Sequence, residues 1–126
     1  MNQKDLGVLI VDDEPLVLRS ISMVLSHLGF SNIHHGACLL DARGLLLTQR
    51  FDLLIVDISL PDGDGRQLLR EALAMNHGAR AILISGFMYR GLMIPKDLYG
   101  KVELLAKPFS VDELSELLSA TCPADH

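Results

Sequence analysis

Three short blocks of uninterrupted apolar residues punctuate the chain: Val8-Leu9-Ile10-Val11, Leu53-Leu54-Ile55-Val56 and Ala81-Ile82-Leu83-Ile84. A strand with one face in solvent alternates apolar and polar side chains, whereas these blocks are apolar throughout, the pattern of parallel strands covered on both sides. Such strands require helices above and below. After Pro15, Val17, Ile21, Val24, Leu25 and Leu28 recur at helical spacing until Gly29, which predicts a first helix over Glu14–Leu28. A short strand around Asn32–His35 and a weaker helix over Leu39–Gln49, with Gly44 inside it, come next. Asp64 is suited to cap a third helix that runs to about Asn76 and carries its stripe on Leu68, Leu69, Ala72, Leu73 and Met75.

Beyond the third block the pattern loosens. Gly91, Pro95 and Gly100 interrupt the stretch from Gly86 to Gly100, so an irregular or shortened fourth helix is expected there. Val102–Ala106 reads as a fifth strand, and Ser110-Val111-Asp112-Glu113 as a capping box opening a last helix through Leu114, Leu117 and Leu118. Strand and helix thus alternate along the whole chain. Right-handed crossovers then lead to an α/β fold with a doubly wound, five-stranded parallel sheet.

The 126 residues suit one domain, 1–126, with a core over about residues 6–118 and a tail at 119–126. Apolar residues at 49% against 21% charged, with a mean hydropathy of +0.31, exclude a disordered chain. A formal net charge of −5 offers no general attraction to nucleic acid. No apolar run approaches the ~18 residues of a membrane span, and the N-terminus lacks the pattern of a signal peptide. Cys38 and Cys122 stand far apart without zinc-site spacing, which favours a reducing compartment over a disulfide. A cytoplasmic location is the expectation.

In open parallel sheets ligands bind beyond the carboxyl ends of the strands. Here those ends carry Asp12 and Asp13, Asp57, Ser85, and Lys107 before Pro108. Carboxylates gathered at one edge repel one another and call for a cation; oxygen ligands without His or Cys suit Mg²⁺. A lysine and a hydroxyl beside them complete the parts of a phosphoryl-transfer site, with Asp57 as the candidate nucleophile. Other polar residues have plainer readings. Asp62 and Asp64 read as loop solvation and helix capping, and His34 and His35 as structural residues of a strand. Met88, Leu92, Met93 and Ile94 read as local core ahead of an exposed partner-binding patch, and Phe109 as packing beneath the last helix.

Four segments in order, V-L-I-V-D-D-E-P at Val8–Pro15, L-L-I-V-D-I-S-L-P-D-G-D-G at Leu53–Gly65, I-L-I-S-G at Ile82–Gly86 and L-L-A-K-P-F at Leu104–Phe109, resemble the receiver domain of two-component response regulators. The resemblance spans about Leu6 to Leu118. It implies a flavodoxin-like sheet of order 2-1-3-4-5 and makes Asp57 the phosphoacceptor. It also assigns Mg²⁺ to Asp12, Asp13, Asp57 and the backbone carbonyl of Ser59, and the phosphoryl oxygens to Ser85 and Lys107. Gly86 matches the small residue that leaves space for the phosphoryl group, and Lys107-Pro108 matches a peptide bond often cis in the family.

The expected partners are a sensor histidine kinase or phosphotransfer protein upstream and an effector protein or attached output domain downstream. No direct nucleic-acid contact or membrane insertion is expected, and the phosphorylation is a switch rather than the turnover of an enzyme. Two features depart from the family pattern: Leu104 stands where an aromatic residue is usual, and Gly91 and Pro95 disturb the helix after the fourth strand. Rearrangement of the Phe87–Tyr99 loop on phosphorylation is expected in place of the usual hydroxyl-to-aromatic coupling. Two alternatives remain on the residues alone. One is a receiver-like interaction module that is never phosphorylated. The other is a haloacid-dehalogenase-like phosphatase, although that family wants a D-x-D pattern after its first strand where this chain has Asp12-Asp13-Glu14. A flavodoxin-like FMN carrier is disfavoured because Asp12 and Asp13 would repel its phosphate.

Overall fold

The computed structural model describes residues 3–86 and 94–121. The three apolar blocks form β1 (Gly7–Val11), β3 (Leu53–Asp57) and β6 (Arg80–Ser85), joined by β2 (Asn32–Gly36) and β7 (Val102–Ala106) in one sheet of order β2-β1-β3-β6-β7. Every neighbouring pair in that sheet is parallel. This is the expected order 2-1-3-4-5, because β4 (Ser59–Leu60) and β5 (Gly63–Asp64) form a separate antiparallel ribbon.

The apolar blocks are continuous because successive side chains leave opposite faces of the sheet and both faces are covered. Leu9, Val11, Leu54, Val56 and Leu83 pack on one side with Leu39 and Ala42 of α2 (Leu39–Leu46) and with Leu68 and Leu69 of α3 (Gly65–Met75). Val8, Ile10, Leu53, Ile55, Ile82 and Ile84 pack on the other, with Ile21 and Leu25 of α1 (Pro15–His27) and Leu114 and Leu118 of α4 (Val111–Thr121). Each fully buried aliphatic side chain contributes about 1.5–3 kcal/mol of transfer free energy, so these two layers dominate the stability.

The local signals act as anticipated at most helix ends. Pro15 opens α1, and the Asp64 side chain accepts the Arg66 N–H at 2.8 Å at the start of α3. At α4 the capping box is reciprocal: Ser110 Oγ accepts the Glu113 N–H at 3.0 Å, and Glu113 Oε1 accepts the Ser110 N–H at 3.2 Å. Phe109 is half-buried and packs on the cluster that contains Leu114 and Leu118. The Lys107-Pro108 peptide is cis.

Some expectations need correction. The second helix ends at Leu46 rather than Gln49, because the N–H groups of Leu47 and Thr48 turn back to Gly44 and Leu45 in tight i→i+3 bonds and Thr48 Oγ1 also binds the Leu45 carbonyl. The ribbon after β3 has no counterpart in the apolar pattern. Of the stretch expected to hold a shortened fourth helix, the described part carries a single 3₁₀ turn, Lys96–Leu98, after Pro95. Ile94 packs on the core beside it. Met88, Gly91, Leu92 and Met93, and most of the Phe87–Tyr99 loop, lie outside the described residues. Among the described residues no helix is long and apolar enough to cross a membrane.

Close packing at Gly65 ties α3 to the end of the central strand. A Cβ there would lie 2.0 Å from the Asp57 carbonyl oxygen and 2.8 Å from a Val56 methyl, so α3 can begin against the end of β3 only with glycine. Gly65→Ala is expected to destabilise the domain by at least the ~1–3 kcal/mol typical of overpacking, read as a lower urea midpoint. An unchanged midpoint would contradict this contact.

Candidate functional site

Parallel strands in register deliver their carboxyl ends to one edge. Val11 pairs with Val56 and Asp57 with Ile84, so Asp12 and Asp57 emerge side by side. The loops are held by backbone bonds: the Asp12 N–H donates to the Gly36 carbonyl at 3.1 Å, Ile58 N–H to Ile84 at 2.9 Å, and Lys107 N–H to Ser85 at 2.8 Å. Ser85 is buried at the end of β6, and Lys107 succeeds the neighbouring strand β7.

Asp12 is fully buried and Asp57 nearly so, while Asp13, Glu14 and Ser59 are exposed. The carboxylate oxygens of Asp12, Asp13, Glu14 and Asp57 come within 4.8 Å of one another. Local N–H groups orient two of them: Asp12 Oδ1 accepts from Glu14 N–H at 2.9 Å, and Asp57 Oδ1 from Ser59 N–H at 3.1 Å. Lys107 sends its ammonium into the middle, 2.9 Å from Asp57 Oδ2 and 3.0 Å from Asp12 Oδ2, with a further hydrogen bond to Glu14. The contact to Asp12 is an ion pair off the hydrogen-bond direction, so the buried Asp12 Oδ2 lacks a hydrogen-bond partner.

Four carboxylates against one ammonium leave the cluster short of positive charge. Burial opposes the charge of Lys107, but its contacts with the Glu14, Asp57 and Asp12 carboxylates outweigh that and raise its pKa above the ordinary lysine range, so it stays an ammonium. Burial pushes the Asp12 carboxyl up to about 6, against the Glu14 N–H and Lys107, which favour ionisation, and with the charge of Asp57, which opposes it. The oxygen-only donor set, with the buried Asp12 Oδ2 met by the Lys107 ammonium but by no hydrogen bond, fits a hard divalent cation such as Mg²⁺.

The residues singled out from sequence thus meet at one edge, with Ser85 and Ser59 in the strands and loops that flank the acids. Glu14 is a member that the apolar and polar pattern does not single out, although its place directly after Asp12-Asp13 is the available signal. Asp62 does not merely solvate its loop: it caps α2, accepting from Leu39 N–H and Leu40 N–H. His34 and His35 stay apart from the acids. His34 bonds Asn32 and meets the Phe51 ring edge-on at 5.8 Å, while His35 is exposed. Leu104, in the position usually aromatic, is exposed on the edge strand β7.

A family model described as the response regulator receiver domain matches residues 8–119. The chain is 31% identical over 115 residues to the transcriptional regulatory protein MalR of Bacillus subtilis, covering 90% of this chain and 49% of that protein. To sporulation initiation phosphotransferase F of the same organism it is 25% identical over 123 residues, covering 98% and 96%. It therefore spans about half the length of MalR and nearly all of phosphotransferase F. Among solved structures, the response regulator TrrA of Thermotoga maritima, in complex with Mg²⁺-BeF, aligns at a TM-score of 0.77 and 26% identity, covering 92% of this chain and 98% of that one.

The raised Asp12 pKa has a pH signature. The native state holds this proton more tightly than the unfolded chain, whose aspartates keep a pKa near 3.8. The stabilising contribution is therefore complete below that value and lost as pH rises through about 6. In metal-free buffer Asp12→Asn is expected to exceed wild type in stability near pH 8 by up to about 3 kcal/mol, with the gap closing toward pH 4. Urea titrations across that range should show the gap widening with pH; a constant gap would refute the burial effect.

Proposed function

Because the chain belongs to the response regulator receiver family of two-component signalling, we propose that it accepts a phosphoryl group on Asp57 in a Mg²⁺-dependent transfer from a phosphohistidine. The donor is a sensor histidine kinase or a phosphotransfer protein. The observation that carries this reading is the Asp57 carboxylate at the end of the central strand, oriented by the Ser59 N–H and touched by Lys107, with Asp12 and Asp13 beside it.

Asp12, Asp13, Asp57 and the Ser59 carbonyl would hold the cation. A cation held there would offset the charge of these acids and supply Lewis-acid stabilisation to the phosphoryl oxygens. An Asp57 oxygen forms its bond to phosphorus as the phosphorus–nitrogen bond of the donor breaks. The electron pair of that bond stays on the imidazole nitrogen. Lys107 supplies a fixed positive charge to the phosphoryl oxygens and the Ser85 hydroxyl a neutral donor, so the site works by alignment and charge compensation. Attack of water at phosphorus later breaks the Asp57–phosphorus bond and regenerates the carboxylate with release of inorganic phosphate.

Phosphorylation turns the singly charged Asp57 carboxylate into an acyl phosphate of about two negative charges with three acceptor oxygens, which biases the conformation that an effector or attached output domain reads. The role is that of a switch in the cytoplasm, not of a turnover enzyme. A groove of about 530 Å³ between α1 and α4, lined by Leu16, Val17, Phe109 and Val111, reaches Glu14 and Lys107 of the site.

Incubation with acetyl phosphate and Mg²⁺ is expected to add one hydroxylamine-labile phosphoryl group by intact mass. Asp57→Asn is expected to abolish it, and chelation of the metal to suppress it. Persistence of the label in Asp57→Asn would move the acceptor elsewhere, and an unlabelled wild type would favour the unphosphorylated interaction module.

A further inference from the structure

Cys38 at the N-cap of α2 makes no side-chain capping bond, and the local bond there, from Ala37 N–H to Asp41 Oδ2 at 3.1 Å, does not serve the first N–H groups of the helix itself. The N–H groups of a first helical turn need acceptors. Here they come from 23 residues further along the chain: Asp62 Oδ1 accepts the Leu39 N–H at 2.8 Å, and Oδ2 accepts the Leu40 N–H at 3.0 Å. These bonds, the Leu39 bond foremost and aided by the charge of Arg43, hold the Asp62 carboxyl below the usual carboxylate range. An apolar contact reinforces them. Gly63, at φ +152°, lies so close to α2 that a Cβ would meet Leu39 Cδ1 at 2.7 Å.

The ribbon β4-β5 is therefore fastened to α2 at its turn, while its first residue is fastened to the acidic site through the Ser59 N–H and Asp57 Oδ1. The segment leading into α2 touches the other half of the same site, because the Gly36 carbonyl accepts the Asp12 N–H. Residues 36–40 thus form a bracket between the loop that carries Asp12 and the ribbon that carries Ser59. Asp62 closes that bracket, yet it is not among the clustered acids.

We propose that Asp62 is a positioning residue of the cation site: by capping α2 it sets the spacing between Asp12 and the Ser59 carbonyl, and so tunes Mg²⁺ affinity from outside the coordination sphere. This rests on the assignment of Mg²⁺ to the acidic cluster under the proposed function. By linkage, the bound cation in turn secures the first turn of α2.

Mg²⁺ titrations monitored by backbone amide shifts, without any phosphodonor, test the idea. Asp62→Ala is expected to weaken Mg²⁺ binding on the order of tenfold, as loss of a supporting partner does at other metal sites, and Asp62→Asn, which keeps one acceptor oxygen, by roughly threefold. A purely structural role is separated by Asn76→Ala. This change removes a buried amide that bonds Phe51 and Gly78 at the opposite end of the sheet, and should lower stability with Mg²⁺ affinity kept. In wild type, Mg²⁺ should also slow hydrogen exchange at the Leu39 and Leu40 amides, a readout that survives even if Asp62→Ala fails to fold. Wild-type affinity in the Asp62 variants, equal weakening in Asn76→Ala, or unaltered exchange at Leu39 and Leu40 would each overturn the proposal. A wild type that binds no Mg²⁺ would instead remove the cation assignment itself, and this proposal with it.

Discussion

One ammonium among four carboxylates is the constraint around which this domain is arranged. Lys107 meets Asp12, Glu14 and Asp57 at the carboxyl edge of the sheet, where two of those acids are buried. Like charges so placed repel strongly once water is excluded, and a single lysine does not balance them. The fold tolerates this only because a rigid two-layered core lies directly beneath, in which every block of β1, β3 and β6 is covered on both faces. The unbalanced charge comprises four carboxylates, two of them buried, gathered at one edge of the sheet.

Chain geometry converts that charge imbalance into a defined site. Parallel pairing in register sets Asp12 beside Asp57, and the backbone bond between Lys107 and Ser85 carries the lysine in from the neighbouring strand. Around the acids, glycine at position 65 permits α3 to start against the Asp57 carbonyl. Asp62 couples the ribbon to α2 on the far side. The candidate site and the local packing thus draw on adjoining residues of the same loops.

The relatives divide along the same line. Phosphotransferase F matches this chain almost end to end, whereas MalR extends over roughly twice the matched length. A common receiver architecture thus occurs both alone and beside further sequence. Within it, Leu104 is an exposed aliphatic residue on the edge strand β7.

The amino-acid order by itself determined the alternating strand–helix architecture, because continuous apolar runs, helical stripes and caps such as Asp64 and Ser110 act over a few residues. It also placed Asp12, Asp13, Asp57, Ser85 and Lys107 at or just beyond strand ends, since those ends are legible wherever an apolar block stops at a polar residue. Only the tertiary structure decided the rest. Glu14 joins the cluster through a lysine 93 positions away, and Asp62 caps a helix whose first residue precedes it by 23. The short ribbon of β4 and β5 and the early end of α2 were equally hidden from the apolar pattern. Hydrogen bonds and ion pairs between distant segments leave no periodic trace in the chain, because their partners are chosen by where the core places the backbone and not by neighbouring residues.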